Sequence, residues 1–201
     1  MAYELLGLSQ LDEDDIKRLA MLHYSVVHSL LSNLGLPMVL RYYQVARADP
    51  AVIGLCAVST AGEMLAWALG SPHPDLINSR LRTPLTWFLF QMLRLTLTRP
   101  FILWQLMSSV FNLSNRLYIE SGAIELTYIG VASNQRGKGL GEDLLNSFIE
   151  ASRSTGYRSV VLSVETDNKP AMALYEKMGF KIIQTFSEGR YKRHRMELAL
   201  A

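Results

Sequence analysis

One cysteine, Cys56, occurs in 201 residues, so no disulfide can form within the chain. It lies in an apolar, strand-like run with no activating neighbour in the sequence, and reads as a buried, inert thiol. Charge is also sparse. Charged residues make up 19% of the chain and the net charge is +2, with no long basic run and no interleaved stacking aromatics, which excludes a nucleic-acid partner. The four histidines have no carboxylate or cysteine cluster around them, so no metal site is expected. No uninterrupted apolar run approaches the ~20 residues that cross a bilayer. The opening MAYELLGLSQLDEDD lacks the basic and apolar regions of a signal peptide, which makes a cytoplasmic location the expectation. What is present is apolar: hydrophobic residues reach 49%, enough for a real core in one domain spanning residues 1–201.

The most informative stretch is Ile124–Ile149. Glu125–Val131 is rich in β-branched and aromatic residues and predicts a strand. Leu140, Leu144, Leu145, Phe148 and Ile149 recur at helical spacing and predict a helix. Between them lies Gln135-Arg136-Gly137-Lys138-Gly139-Leu140-Gly141. The start of a helix leaves backbone N–H groups without partners, and its dipole favours an anion there. Glycines keep side chains away, so phosphate oxygens can reach those amides. Two familiar phosphate loops do not fit. The glycine spacing is G-x-G-x-G, with Glu142 where a dinucleotide fingerprint needs its third glycine, and Gly137-Lys138 is followed by Gly139 where a nucleotide-hydrolase loop needs Ser or Thr.

Downstream, Ser159–Val164 predicts a buried strand. Asp167 or Asn168 with Pro170 opens a helix carrying Ala171, Leu174, Tyr175 and Met178, which ends at Gly179. The pattern Arg136-x-x-Gly139-x-Gly141 after Ile129-Gly130-Val131, followed by Asn168-x-x-Ala171-x-x-Leu174-Tyr175-Glu176-Lys177-x-Gly179-Phe180, resembles the GCN5-related N-acetyltransferase (GNAT) superfamily. By motif the resemblance covers about residues 125–180; by layout it extends over the chain. It implies an α/β (α+β) fold: a central mixed, mostly antiparallel sheet flanked by helices. It also implies acetyl-CoA as acyl donor, its pantetheine arm along Ile129, Gly130 and Val131. The pyrophosphate would sit on the amides of Gly137, Gly139, Leu140 and Gly141, with Arg136 and Lys138 adding charge and Asn168 touching the CoA arm.

The remaining elements fit that layout. Tyr3–Leu6 predicts a strand, and Asp12–His28 and Pro37–Ala48 two helices joined by Ser29–Gly35. Ala51–Val58 and Met64–Leu69 form a hairpin. The C-terminal Arg190–Leu198 predicts a strand whose basic residues line a solvated face or end. An insertion over Ser71–Asn115, between the third and fourth strands, is unusually long. It opens as a loop and continues as apolar helices over Leu85–Leu97 and Phe101–Phe111. Extra core, a wall of the acceptor pocket, and membrane-surface or homodimer contact through Trp87, Phe88, Phe90 and Trp104 all stay open for it.

Acyl transfer to an amine needs a held thioester, a neutral amine and a proton for the leaving thiolate. Positioning can supply roughly 7–11 kcal/mol of the barrier. An alkylamine is almost wholly protonated at pH 7, so a carboxylate is wanted as base. Glu125 is the first candidate, with Glu120 in reserve and His73 third. Simple alternation places Glu125, Thr127 and Ile129 on one strand face and Leu126, Tyr128 and Gly130 on the other. Tyr175 stands where the resemblance puts a general acid, and a phenol is protonated at neutral pH. The expectation is an N-acetyltransferase acting by direct transfer on a small-molecule amine. The alternatives are a non-catalytic acyl-CoA-binding module and a membrane-surface acyltransferase.

Overall fold

The computed structural model describes residues 3–98, 121–188 and 191–200. Seven strands make one sheet: β1 (Tyr3–Gly7), β2 (Ile53–Ser59), β3 (Met64–Ser71), β4 (Ala123–Val131), β5 (Ser159–Glu165), β6 (Lys181–Glu188) and β7 (Tyr191–Ala199). Their order is β1-β2-β3-β4-β5-β7-β6. Every neighbouring pair is antiparallel except β4 with β5, which run parallel. The mixed, mostly antiparallel sheet expected from the sequence is therefore present.

The helices are α1 (Glu13–Val26), α2 (Leu30–Asn33), α3 (Leu36–Arg47), α4 (Pro74–Arg80), α5 (Leu85–Thr98), α6 (Leu140–Ser154) and α7 (Lys169–Lys177). Asp12 caps α1 by accepting the Asp15 N–H, and Asp15 returns a bond to the Asp12 N–H, a reciprocal box that satisfies two orphan donors. Two short helices differ from expectation. α2 sits in the stretch expected as a linker, where Ser29 caps four residues. α4 begins at Pro74 inside the expected loop, proline being favoured in a first helical turn. The helix expected over Phe101–Phe111 lies outside the described residues.

Two cores sandwich the sheet. On one face α1 and α3 bury Ile16, Leu19, Val39 and Tyr43 against Cys56, Trp67 and Leu69, with Ile77 of α4 beside them. On the other, α6 buries Leu144, Leu145 and Phe148 against Ala66, Ala68, Ile124 and Leu162, joined by Tyr175 of α7 and Met196 of β7. Full burial of such side chains contributes roughly 1.5–3 kcal/mol each. Cys56 is 1% exposed, and burial pushes its thiol up to about 12, as an inert core thiol requires.

Trp87 and Phe88 pack partly against the α1/α3 core, while Leu85, Leu89, Phe90, Leu93 and Leu97 stay exposed on the opposite side of α5. No helix among the described residues is long and apolar enough to cross a membrane.

Candidate active site

β4 joins both cores to the glycine loop. Its register with β3 runs from Ala66↔Val131 to Leu69↔Tyr128 and then steps to Gly70↔Leu126, leaving Thr127 as the extra residue of a bulge. The bulge overturns the simple alternation. Ile124 and Leu126 belong to the α6 core, and so do Ile129 and Val131, but Tyr128 belongs to the α1/α3 core. Glu125, between Ile124 and Leu126, faces the α1/α3 side. Gly130 faces Trp67, whose ring occupies the space a side chain would need: a Cβ there would lie 2.4 Å from it.

Beyond the bulge β4 parts from β5. Their parallel pairing covers Ala123↔Ser159 to Leu126↔Leu162 and stops. β5 continues on β7 as far as Glu165↔Arg193, and β4 continues on β3 to Val131. The two central strands thus diverge, and the gap opens toward the loop that follows β4.

That loop turns through a 3-10 segment, Ser133–Gln135, and enters α6 at Gly139. Gly137 and Gly139 have φ of +75° and +83°, where any other residue is strained, and a Cβ on either would meet nothing within 4 Å. The space before them is open. Gly139 offers no side-chain cap, and the first helical bonds are those of the Glu142 and Asp143 N–H groups to its carbonyl. Among the described residues the amides of Gly137, Gly139, Leu140 and Gly141 find no acceptor in the chain. Each hydrogen bond from such an amide to a charged group contributes roughly 1.5–3 kcal/mol. Arg136 Nε donates to the Val131 carbonyl at 3.4 Å, and Lys138 Nζ to Gln135 Oε1 at 3.1 Å, which braces the loop and leaves both residues further N–H groups.

α7 packs beside the loop. A Cβ at Gly141 would sit 3.4 Å from Val131 and 4.0 Å from Leu174, and Lys177 bridges to Glu142 at 2.7 Å. Asn168 caps this helix, its Oδ1 accepting from the Ala171 N–H at 3.3 Å. Tyr175 lies on the α6 face, 7% exposed, its ring 5.7 Å from that of Phe180, and burial pushes its hydroxyl up to about 12.

Glu125 is not free. Arg195 of β7 reaches over β5 and donates to both carboxylate oxygens, at 2.8 and 3.1 Å, and to Ser163 Oγ at 3.2 Å. The expected solvated basic face of β7 is corrected here: Arg195 is 3% exposed, because two strands of sheet and an opposing carboxylate enclose it. No local signal marks Arg195 in the sequence, since its partner is 70 residues away. On the same face of the sheet as Glu125 stands a buried aromatic group that sequence reasoning also missed. His23 Nδ1 lies 2.7 Å from the Tyr43 hydroxyl, and the His23 ring packs on Trp67 and Tyr128. Burial lowers His23 to about 4, so it is neutral at pH 7. His73 is exposed at the start of α4, and Glu120 lies outside the described residues.

The sequence profile of the acetyltransferase (GNAT) family matches residues 97–180, a range that holds β4, the loop, α6, β5 and α7. Over those residues the chain is similar to the GNAT acetyltransferase family. Among relatives, a mycothiol acetyltransferase of Corynebacterium glutamicum is 43% identical over 61 residues, which is 30% of this chain and 21% of that protein. The chain thus spans about a fifth of that relative's length. Among solved GNAT folds, the ribosomal-protein-S18-alanine N-acetyltransferase of Escherichia coli superposes with a TM-score of 0.61 at 15% identity, covering 100% of this chain and 95% of that one. An N-acetyltransferase of Thermoplasma acidophilum, solved with coenzyme A, gives 0.61 at 13%, covering 100% of both chains. At such identities the likeness is one of fold.

Proposed function

We propose that this chain is a GNAT N-acetyltransferase that transfers an acetyl group from acetyl-CoA to the primary amine of a small molecule. The observation that carries this reading is the divergence of β4 from β5 directly ahead of the loop whose amides at Gly137, Gly139, Leu140 and Gly141 have no partner among the described residues. A diphosphate suits those amides, with Arg136 and Lys138 adding charge. The freed edge of β4 at Ile129, Gly130 and Val131 suits an extended amide-bearing arm, and Asn168 borders it from α7. The mycothiol acetyltransferase relative supports a small acceptor over a protein.

In this scheme the amine nitrogen attacks the thioester carbonyl, the C–S bond breaks and the amide C–N bond forms. Glu125, on the α1/α3 face, takes the amine proton directly or through a water, and Tyr175, on the α6 face, gives its phenolic proton to the leaving thiolate. Acid and base thus approach from opposite sides of the sheet through the gap between β4 and β5. The phenol's upward shift keeps it protonated throughout the neutral range. The backbone N–H of Val131, on the edge of β4 that faces away from β3, is available to polarise the carbonyl.

The test is a screen of amines for CoA release from acetyl-CoA, paired with calorimetry of coenzyme A. Heat on titration and turnover with at least one small amine are expected. No heat would remove the donor assignment. One observation favours a second reading, a non-catalytic acyl-CoA-binding module: both oxygens of Glu125 are already engaged by Arg195. Tyr175→Phe separates the two. CoA affinity stays the same in either case, and turnover falls about 100-fold only in the enzyme.

A further inference from the structure

Arg195 is the one buried arginine of the described core, and nothing about its place in the fold requires a charge. On β7 it pairs with Ser163, and its side chain crosses the face of β5 that carries buried Val161, while Met196, Val160 and Leu162 fill the opposite, α6 side. An apolar side chain would fill such a position without removing a guanidinium from water, and buried ion pairs are commonly replaceable in this way. What the guanidinium does provide is direction. Its two parallel N–H···O bonds fix the plane of the Glu125 carboxylate, which a single ammonium could not do. The exposure is asymmetric: the Arg195 side chain is 3% exposed and that of Glu125 is 20%. The fork grips the carboxylate from its buried side, and the more exposed Glu125 lies two residues before the bulge residue Thr127. Ser163, on the strand between them, takes a third bond and holds the fork in register.

Resting on the acetyltransferase reading above, we infer that Arg195 is a positioning residue for amine acetylation, acting through Glu125. It holds the carboxylate where the acceptor's nitrogen arrives and touches neither substrate itself.

The experiment is a double-mutant cycle on turnover, with acetyl-CoA as donor and the best amine from the screen. Arg195→Met should lower kcat about 100-fold, the size of a lost general base, with KM for acetyl-CoA within about twofold. Glu125→Gln should lose a similar factor. The decisive arm is the double variant: because Arg195 acts only through Glu125, E125Q/R195M should be no slower than E125Q. Arg195→Lys, which keeps the charge and loses the fork, should recover only part of the rate. If the Arg195→Met protein does not fold, the Lys variant and the apolar pair E125L/R195M carry the test: the pair is expected to melt near the wild-type temperature and to stay inactive. Multiplying losses in E125Q/R195M, or an R195M protein with wild-type kcat, would overturn the inference. A wild-type protein that releases no CoA with any amine would be a different failure, that of the acetyltransferase reading on which this rests.

Discussion

His23 gives the sharpest stability prediction. Its ring is fully buried among Tyr43, Trp67 and Tyr128, and burial lowers its pKa from the ordinary 6.5 to about 4. In the unfolded chain the imidazole takes up a proton as pH falls through 6.5; in the folded protein it does so only near 4. Between those values the unfolded state binds more protons, so stability is complete above pH 6.5 and declines on acidification. At 1.36 kcal/mol per pH unit, His23 alone should cost about 2 kcal/mol by pH 5 and about 3 kcal/mol at the plateau near pH 4. Carboxylates such as Glu13 and Asp14, whose ion pairs hold them below their usual range, lose stability in the same direction, so the wild-type curve alone does not isolate the histidine. His23→Phe does. The variant loses the bond to Tyr43, a constant offset of about 1–2 kcal/mol, but it has no imidazole to titrate. Urea unfolding from pH 8 to pH 5 on both proteins should show a stability difference that is flat above pH 6.5 and shifts by about 2 kcal/mol toward the variant by pH 5. Parallel curves across that range would refute the claim that the ring is buried in its neutral form.

Other substitutions probe the site more directly. Gly139→Ala places a side chain at φ +83°, costing roughly 1–2 kcal/mol, and should weaken coenzyme A binding severalfold by calorimetry; unchanged affinity would mean the loop amides are not the anchor. Gly130→Ala drives a Cβ to 2.4 Å from the Trp67 ring, so a loss of about 1–3 kcal/mol in urea unfolding is expected, and none would show the contact to be slack. Cys56, with its thiol pushed up to about 12, should resist a thiol reagent at pH 8 until urea is added; rapid labelling of the folded protein would contradict its burial.

Much of this molecule is written locally. The hydrophobic stripe of α6, the Asp12 cap of α1 and the glycine that ends α7 are short-range signals, and each appears where its residues predict. The glycine loop is legible for the same reason: G-x-G-x-G between a strand and a helix is a statement about backbone geometry. What escaped is long-range. The bulge at Thr127 exists because β3 and β4 fall out of register, and no feature within β4 announces it. Arg195 reads as one more surface charge until the sheet order sets β7 two strands from Glu125. The partnership of His23 with Tyr43 likewise needs α1 and α3 packed together before it exists.

The parting of β4 from β5 has a further consequence for how the protein keeps its own company. A sheet's outer strands, here β1 and β6, carry the ordinary hazard of unpaired backbone, since another polypeptide can lie along them. The seam beyond Leu126 and Leu162 is flanked by strands on both sides. It can be entered end-on by something as slender as a single extended thread, and a neighbouring molecule's sheet has no room to approach it. The backbone groups along this seam are thereby kept from the edge-to-edge pairing to which β1 and β6 are open.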